Sequence, residues 1–197
     1  MTSFSEFKSF ITRIEKIPAV VYAICGWIIT IVTASISTTD WVSEGGGMWF
    51  LLFLLPLVVF LPCLSIYHAA KSFELSDDYL VKVVELYAVL ALVFANLYFV
   101  LIVIHGEIQI YEKIHTPWTY LEWPQGRRLY IQNILLTAVD CIYFSFATIT
   151  TSAYGDIKPL VWYTKLLSNI EVIAGLYLVT IGIGRYFSKA NITKNSS

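Results

Sequence analysis

Residues Thr148 to Asp156 read Thr-Ile-Thr-Thr-Ser-Ala-Tyr-Gly-Asp, and this polar stretch lies between two long apolar segments. Irregular backbone persists at membrane depth only where protein or a water-filled pathway surrounds it, because hydrocarbon offers no partner to its N–H and C=O groups. The stretch therefore predicts a loop that dips into a membrane and lines a polar pathway.

The composition indicates an integral membrane protein with little soluble mass. The chain has 197 residues, of which 57% are hydrophobic and only 14% are charged. A soluble domain carries about 25% charged residues. The net charge of −1 provides no basic face for nucleic acid. The three cysteines are scattered through apolar segments without metal-ligand spacing, so they are interpreted as small buried hydrophobes.

Four apolar segments are long enough to cross a bilayer as helices. They are Ile17–Ser37, Met48–Tyr67, Val81–Ile104 and Leu160–Tyr186. A shorter apolar piece, Ala138–Ile149, lies between the last two and is too short to cross, so it fits a re-entrant helix. The predicted fold is an all-α membrane protein with four transmembrane helices, one re-entrant pore helix and one filter loop per chain.

The distribution of Lys and Arg predicts the orientation, because cytoplasmic loops carry an excess of them. Eight lie on the side of the termini: Lys8, Arg13, Lys16, Lys71, Lys82, Arg185, Lys189 and Lys194. Five lie on the other side: Lys113, Arg127, Arg128, Lys158 and Lys165. Both termini are therefore expected in the cytoplasm, with the chain in a bacterial or other plasma membrane.

The polar stretch resembles the pore loop of potassium channels, whose filter runs Thr-x-Gly-Tyr-Gly-Asp after a short threonine-rich helix. The matching residues are Thr151, Tyr154, Gly155 and Asp156. Ser152 stands where the family usually has Val or Ile, and Ala153 stands where it usually has its first Gly. The resemblance extends over about Val81 to Phe187 and is closest to two-pore-domain and bacterial members.

The resemblance implies a role for each filter residue. The backbone carbonyls of Thr151, Ser152, Ala153 and Tyr154 would bind potassium, and the Thr151 hydroxyl would add the innermost site. Gly155 would allow the backbone to turn at the mouth, and Asp156 would anchor the outer end from behind. Rings of carbonyls replace the ion's water shell. One pore loop supplies one member of each ring, so a homotetramer is expected.

The resemblance also divides the chain into three parts. Residues 1–80 would form a cytoplasmic N-terminus and two peripheral helices, residues 81–187 the pore module, and residues 188–197 a short cytoplasmic tail. Residues His105 to Gln132 would form an extracellular turret. Asp140 is expected in the first turn of the pore helix, where an acid favours the helix dipole. Thr150 is expected to support the filter.

Two residues of the last helix are candidates for gating or for the cavity below the filter. Gly175 is the best candidate for a mid-helix bend, and helix packing is an equal alternative. Glu171 is an acid inside the membrane, which is expensive and therefore a functional hypothesis by default. It would either line the cavity or hydrogen-bond the pore helix through Thr148 or Thr150. In the cavity role, Glu171→Gln is expected to reduce conductance or inward rectification.

The departures from the filter pattern leave three functions open. Ala153 occupies a position that favours positive φ, where a Cβ costs about 1–2 kcal/mol. An intact filter would conduct potassium, a relaxed one would also pass sodium, and a degenerate one would make the chain a non-conducting scaffold. The isolated histidines and acids lack catalytic spacing, so no enzyme is expected. Potassium ions, membrane lipids and further copies of the chain are the expected ligands and partners, without an organic cofactor.

Overall fold

The computed structural model describes residues 18–36, 64–67, 71, 79–105, 109–115, 125–152 and 154–195. Four helices account for most of them: α1 (Ala19–Ile36), α2 (Tyr79–His105), α3 (Gln125–Ile149) and α4 (Trp162–Asn195). Two short strands, β1 (Tyr111–Glu112) and β2 (Lys158–Pro159), pair antiparallel. Tyr111 lies opposite Pro159, and Glu112 lies opposite Lys158.

Three helices in the described part of the chain are long and apolar enough to cross a membrane. The qualifying windows are Val81–His105, Arg128–Ile149 and Trp162–Gly184. The apolar segment Ala19–Ser35 of α1 is shorter. The prediction of an all-α membrane protein is confirmed. Only residues 64–67 of the predicted second span are described, and they are helical, so four spans per chain remain a prediction.

The pore helix is longer than the sequence pattern indicated. α3 begins at Gln125, 13 residues before the predicted start. The prediction that the segment Ala138–Ile149 is too short to cross is therefore wrong, because it continues a longer apolar helix. Polar residues interrupt the apolar run in the sequence. The helix can accommodate them on its exposed side, since Gln132 is exposed whereas Ile134 is fully buried. Residues 125–132, which were expected in the turret, belong to this helix.

α2 lies at the centre of the fold and packs against α1, α3 and α4. Ala91 and Ala95 are fully buried on it, as is Val89. Small residues allow helix backbones to approach closely in a membrane protein, where packing drives association. The Trp27 Nε1–H of α1 donates to the Leu92 carbonyl oxygen of α2 at 2.9 Å. α1 is thereby fixed to the helix that supports the rest of the pore module.

Residues 109–115, which lie between α2 and α3 in the chain, pack against these two helices. Ile110 and Tyr111 are each 1% exposed, and Leu160 N–H donates to the Ile110 carbonyl at 3.0 Å. The His105 ring at the end of α2 stacks on Tyr163, and Tyr163 Oη lies 2.6 Å from His105 Nε2. These contacts join the C-terminal end of α2 to the N-terminal end of α4. In the sequence, α3 and the polar stretch lie between these two ends.

Candidate functional site

The C-terminus of α3 leads directly into the polar stretch. Ser152 N–H donates to the Ala147 carbonyl at 2.9 Å, and Thr151 N–H donates to the Thr148 carbonyl at 2.9 Å. This pair of bonds is a Schellman motif, in which the residue after the helix is left-handed. Thr151 takes that conformation with φ of 56°. A residue with a Cβ pays about 1–2 kcal/mol there, so the helix ends on a strained residue.

Two neighbouring helices hold this end of α3 in place. Tyr87 of α2 donates its hydroxyl to the Ile149 carbonyl at 2.5 Å, which satisfies one of the free carbonyls at the helix end. Gly175 of α4 lies against the same residue. A Cβ on Gly175 would lie 2.6 Å from Ile149 Cγ1 and 2.9 Å from Ile149 O. A Cβ would force Ile149 to shift, so Gly175 makes a packing contact here, and its role as a mid-helix bend stays a prediction.

The residues that follow the helix are exposed in the single chain. The exposed residues are Thr150, Thr151, Ser152, Tyr154, Gly155 and Asp156. Tyr154 is 76% exposed, whereas Ile157 is 9% exposed and ends the exposed stretch. Gly155 has φ of 74°, in agreement with the expected turn at the mouth. Ala153 lies outside the described residues. No described part of the chain thus covers these residues of the polar stretch.

A hydrogen bond joins the exposed side of α3, its front, to Asp156 at the far end of the polar stretch. Tyr143 donates its hydroxyl to Asp156 Oδ2 at 2.7 Å, and Ile157 N–H donates to Asp156 Oδ1 at 3.0 Å. The Tyr143 hydrogen bond is the main reason why the pKa of Asp156 is lowered from its usual value, with Lys113 contributing less. Asp156 therefore anchors the segment as an ionised carboxylate.

A family model described as "Ion channel" matches residues 86–190, which is more than half of the chain. The chain belongs to this ion channel family. The matched range begins within α2 and includes α3, the polar stretch and most of α4, so the resemblance to a pore-loop channel family is confirmed. The family is one of ion channels and not of enzymes. Searches among curated proteins and solved structures each found no significant match.

Asp140 supports the channel in a different way from the one predicted. It was expected in the first turn of the pore helix, but α3 begins 15 residues earlier, so that role is wrong. Its Oδ2 instead lies 2.6 Å from His115 Nδ1 and accepts His115 N–H at 3.0 Å. Thr137 donates its hydroxyl to the His115 carbonyl at 2.7 Å. Asp140 therefore ties residues 109–115 to the middle of α3.

Glu171 lies in the interior of the channel subunit, at 0% exposure. Tyr98 of α2 donates to its Oε2 at 2.5 Å, and its Oε1 is hydrogen-bonded to the hydroxyl of Ser145 on α3. Of the two roles left open by the sequence, this is the hydrogen-bonding role. The partner on the pore helix is Ser145, one turn before the expected threonines.

Thr150 stays at the end of the pore helix, as the sequence indicated. Its hydroxyl donates to the Phe146 carbonyl at 2.6 Å and lies 3.0 Å from the Ser152 hydroxyl. It therefore connects the last turn of α3 to the second residue of the filter segment.

Sequence reasoning missed the residues that hold α3 from its sides. They are Tyr87, Tyr98, His115, Tyr143 and Ser145. Tyr98 and Glu171 are 73 positions apart, and Tyr87 and Ile149 are 62 positions apart. No spacing rule connects residues at such separations. The one available signal was the buried acid itself, because an acid at that depth requires partners.

Proposed function

We propose that this chain is the subunit of a homotetrameric potassium channel, in which the carbonyls of residues 151–154 line the conduction pathway. The observation that carries the proposal is the exposure of Thr151, Ser152 and the residues Tyr154 to Asp156, which follow the C-terminus of α3. No described part of their own chain covers these residues. A central axis shared by four chains would place its carbonyls around a single file of ions.

The proposed mechanism is replacement of the ion's water shell. Each filter residue would contribute one carbonyl per chain, and four chains would complete each ring. A helix end carries about half a negative charge on its free carbonyls. The C-termini of the four α3 helices would therefore favour a cation near the start of the filter. Potassium is the transported ion in this proposal, and no chemical step or organic cofactor takes part.

Unpartnered apolar faces support assembly from several chains in a membrane. On α3, Leu135 is 52% exposed and Val139 is 62% exposed. On α4, Ile173 is 66% exposed and Tyr177 is 69% exposed. Such side chains require neighbouring subunits or lipid tails to cover them. In the tetramer, the faces nearest the filter segment would contact adjacent copies, and the outer faces would contact membrane lipids.

The proposed topology places both termini in the cytoplasm of a bacterial or other plasma membrane. α2 and α4 would then cross the membrane, and α3 would enter from the outer side with its carbonyl end at the centre. The polar start of α3, around Arg128 and Gln132, would stand in the outer vestibule. α1 would be a peripheral helix of the pore module, held by Trp27.

A weakly selective sodium and potassium channel is the second candidate. Ser152 and Ala153 replace residues that normally shape the filter, and Thr151 adopts a left-handed conformation at its start. Each strained residue costs about 1–2 kcal/mol in every chain. A filter that relaxed this strain would lose ion sites and admit sodium. A non-conducting scaffold subunit is the third outcome.

Flux through purified protein in liposomes tests these functions. Vesicles loaded with potassium or with sodium are compared under matched gradients. Flux of potassium alone supports the proposal, and equal flux of both ions supports the weakly selective channel. In the second case Ala153→Gly should restore selectivity. Absence of flux for both ions, with normal oligomeric state, would identify a scaffold and overturn the proposal.

A further inference from the structure

Three helices meet at a buried polar cluster on the side of α3 that faces away from Asp156. The cluster consists of Glu171, Ser145 and Tyr98, each of them 0% exposed. Tyr98 donates to Glu171 Oε2 at 2.5 Å and lies 3.5 Å from the Ser168 hydroxyl. The Ser145 hydroxyl contacts Glu171 Oε1 and also lies 2.7 Å from the Ala91 carbonyl oxygen.

The donors and acceptors of this cluster favour a protonated Glu171. Ser145 has one hydroxyl proton, and the Ala91 carbonyl oxygen is an acceptor only. If Glu171 is ionised, both partners of Ser145 are acceptors, so one of the two short contacts has no proton. If Glu171 carries a proton on Oε1, it donates to Ser145, and Ser145 donates to Ala91. Every contact then has one donor and one acceptor.

The surroundings of Glu171 oppose a negative charge. Among the described residues, no ion pair within 4.0 Å involves it. The titratable groups that face it are phenols: Tyr98 in direct contact, with Tyr87 and Tyr111 further away. The Phe144 ring packs against the Tyr98 ring, with the ring centroids 5.1 Å apart. An unpaired carboxylate in such a site is strongly unfavourable, so it takes up a proton instead.

We propose that Glu171 is held as a neutral carboxylic acid and is a positioning residue for the pore helix. Its proton is donated to Ser145, the Ser145 proton to the Ala91 carbonyl, and the Tyr98 proton to the second oxygen of Glu171. This chain of hydrogen bonds joins α4 to α3 and α3 to α2. It gives the intramembrane acid a function that requires no negative charge and no contact with the ion.

The position of the cluster explains why it would act on the filter. Ser145 and Ile149 lie one turn apart on α3, and Glu171 and Gly175 lie one turn apart on α4. Ser145 meets Glu171, and Ile149 meets Gly175. The two contacts together fix both the rotation of α3 and its position along α4. Thr151 begins the filter segment two residues after the second contact, so a shift there moves the filter backbone.

Infrared spectroscopy of the full chain in lipid vesicles tests the protonation state. The difference spectrum between the wild type and Glu171→Gln at neutral pH should show the loss of one protonated-carboxyl C=O band. Glu85→Gln is the matched control, because Glu85 is paired with Lys82 at 2.6 Å and should lose carboxylate bands instead. Loss of carboxylate bands in Glu171→Gln would overturn the proposal. This readout does not depend on ion flux, so it stands even if the proposed function fails.

The positioning role rests on the proposed potassium channel and is tested by rescue. A glutamine amide donates to Ser145 and accepts from Tyr98, as a neutral acid does, whereas leucine does neither. Potassium-over-sodium flux should stay within about twofold of the wild type in Glu171→Gln and fall by about tenfold in Glu171→Leu, because leucine leaves the buried Ser145 and Tyr98 hydroxyls without this partner. If Gln is as defective as Leu, the neutral-acid role is wrong. If Glu171→Leu does not fold, the Gln variant and the infrared band decide the question.

Discussion

Two side chains of α3, Tyr143 and Ser145, leave the helix in different directions and meet different environments. Tyr143 is 39% exposed and reaches Asp156 at the far end of the polar stretch. Ser145 is fully buried and reaches Glu171 and the Ala91 carbonyl. The hydrogen bond of Tyr143 with Asp156, the front bond, is made in an exposed site. The hydrogen bonding of Ser145, the back bond, is made in an apolar interior.

This difference shows which side of α3 finds its hydrogen-bond partners within a single chain. The back of α3 has its partners within the chain, because α2 and α4 supply the groups that contact Ser145. On the front, Tyr143 donates to Asp156, and the residues Thr151, Ser152 and Tyr154 to Asp156 are exposed. A hydrogen bond in an apolar interior is more costly to lose than one that water can replace. Changes at the back should therefore affect folding together with the proposed filter that the back supports, whereas changes at the front should affect conduction with little effect on folding.

The largest effect is expected where α4 touches the end of α3. In Gly175→Ala the new Cβ meets Ile149, and the shift of backbone should cost about 1–3 kcal/mol of unfolding free energy. Gly184→Ala is the control, because nothing lies within 4 Å of a Cβ there. An exposed helical Gly→Ala change should instead stabilise by up to about 1 kcal/mol. Thermal denaturation in detergent measures both, and equal shifts in the two variants would contradict the close approach.

A loss in the same range is expected when the hydrogen bonds of Ser145 are removed. Ser145→Ala leaves the Ala91 carbonyl and the Glu171 acid without their partner, which should cost about 1–3 kcal/mol. Ser168→Ala is the comparison variant, because Ser168 lies 3.5 Å from the Tyr98 hydroxyl and contributes a weaker contact. Thermal denaturation in detergent measures the loss of unfolding free energy in both variants. A larger loss in Ser168→Ala than in Ser145→Ala would contradict the proposed importance of the Ser145 hydrogen bonds.

The front bond should change the pH dependence of flux with little change in stability. Tyr143 donates to ionised Asp156 and lowers its pKa, so this contribution is present above the ordinary pKa of an Asp and is lost as pH falls through the lowered one. In Tyr143→Phe the pKa should return toward its ordinary value, so flux should decline at a higher external pH than in the wild type. Tyr177→Phe, which alters an exposed hydroxyl on α4, should leave the profile unchanged. An identical profile in Tyr143→Phe would show that the bond does not hold the filter.

The smallest change in stability is expected at the strained end of α3. Thr151→Gly relieves about 1–2 kcal/mol of left-handed strain but adds about 0.5–1 kcal/mol of backbone entropy to the unfolded chain. The two effects nearly offset each other in the unfolding free energy. The Thr151 hydroxyl is lost, however, so potassium-over-sodium flux should fall. Retained selectivity in liposomes would show that the hydroxyl is not an ion ligand.

The sequence predicted the helices that surround the filter better than the filter's own support. The predicted spans Val81–Ile104 and Leu160–Tyr186 largely coincide with α2 and α4. Long apolar runs carry this information locally, because a helix needs about 20 of them to cross. The start of α3 was missed because polar residues interrupt the apolar pattern in its first turns. One side of these turns is nevertheless buried, through Tyr130 and Ile134. Asp140 was assigned to a helix start for the same reason.

Hydrophobic length and the order Thr-x-x-Tyr-Gly-Asp are properties of adjacent residues, so the sequence alone was sufficient for the membrane class and the pore-loop channel family. It also predicts the place of the filter. It also marked Glu171 as a residue in need of partners, because an acid in hydrocarbon is costly wherever it lies. Only the tertiary structure decided that its partners are Ser145 and Tyr98, and that Gly175 is a contact. These residues lie on three different helices, so whether they meet depends on the rotation of each helix and on the distance between the helices. Packing determines both.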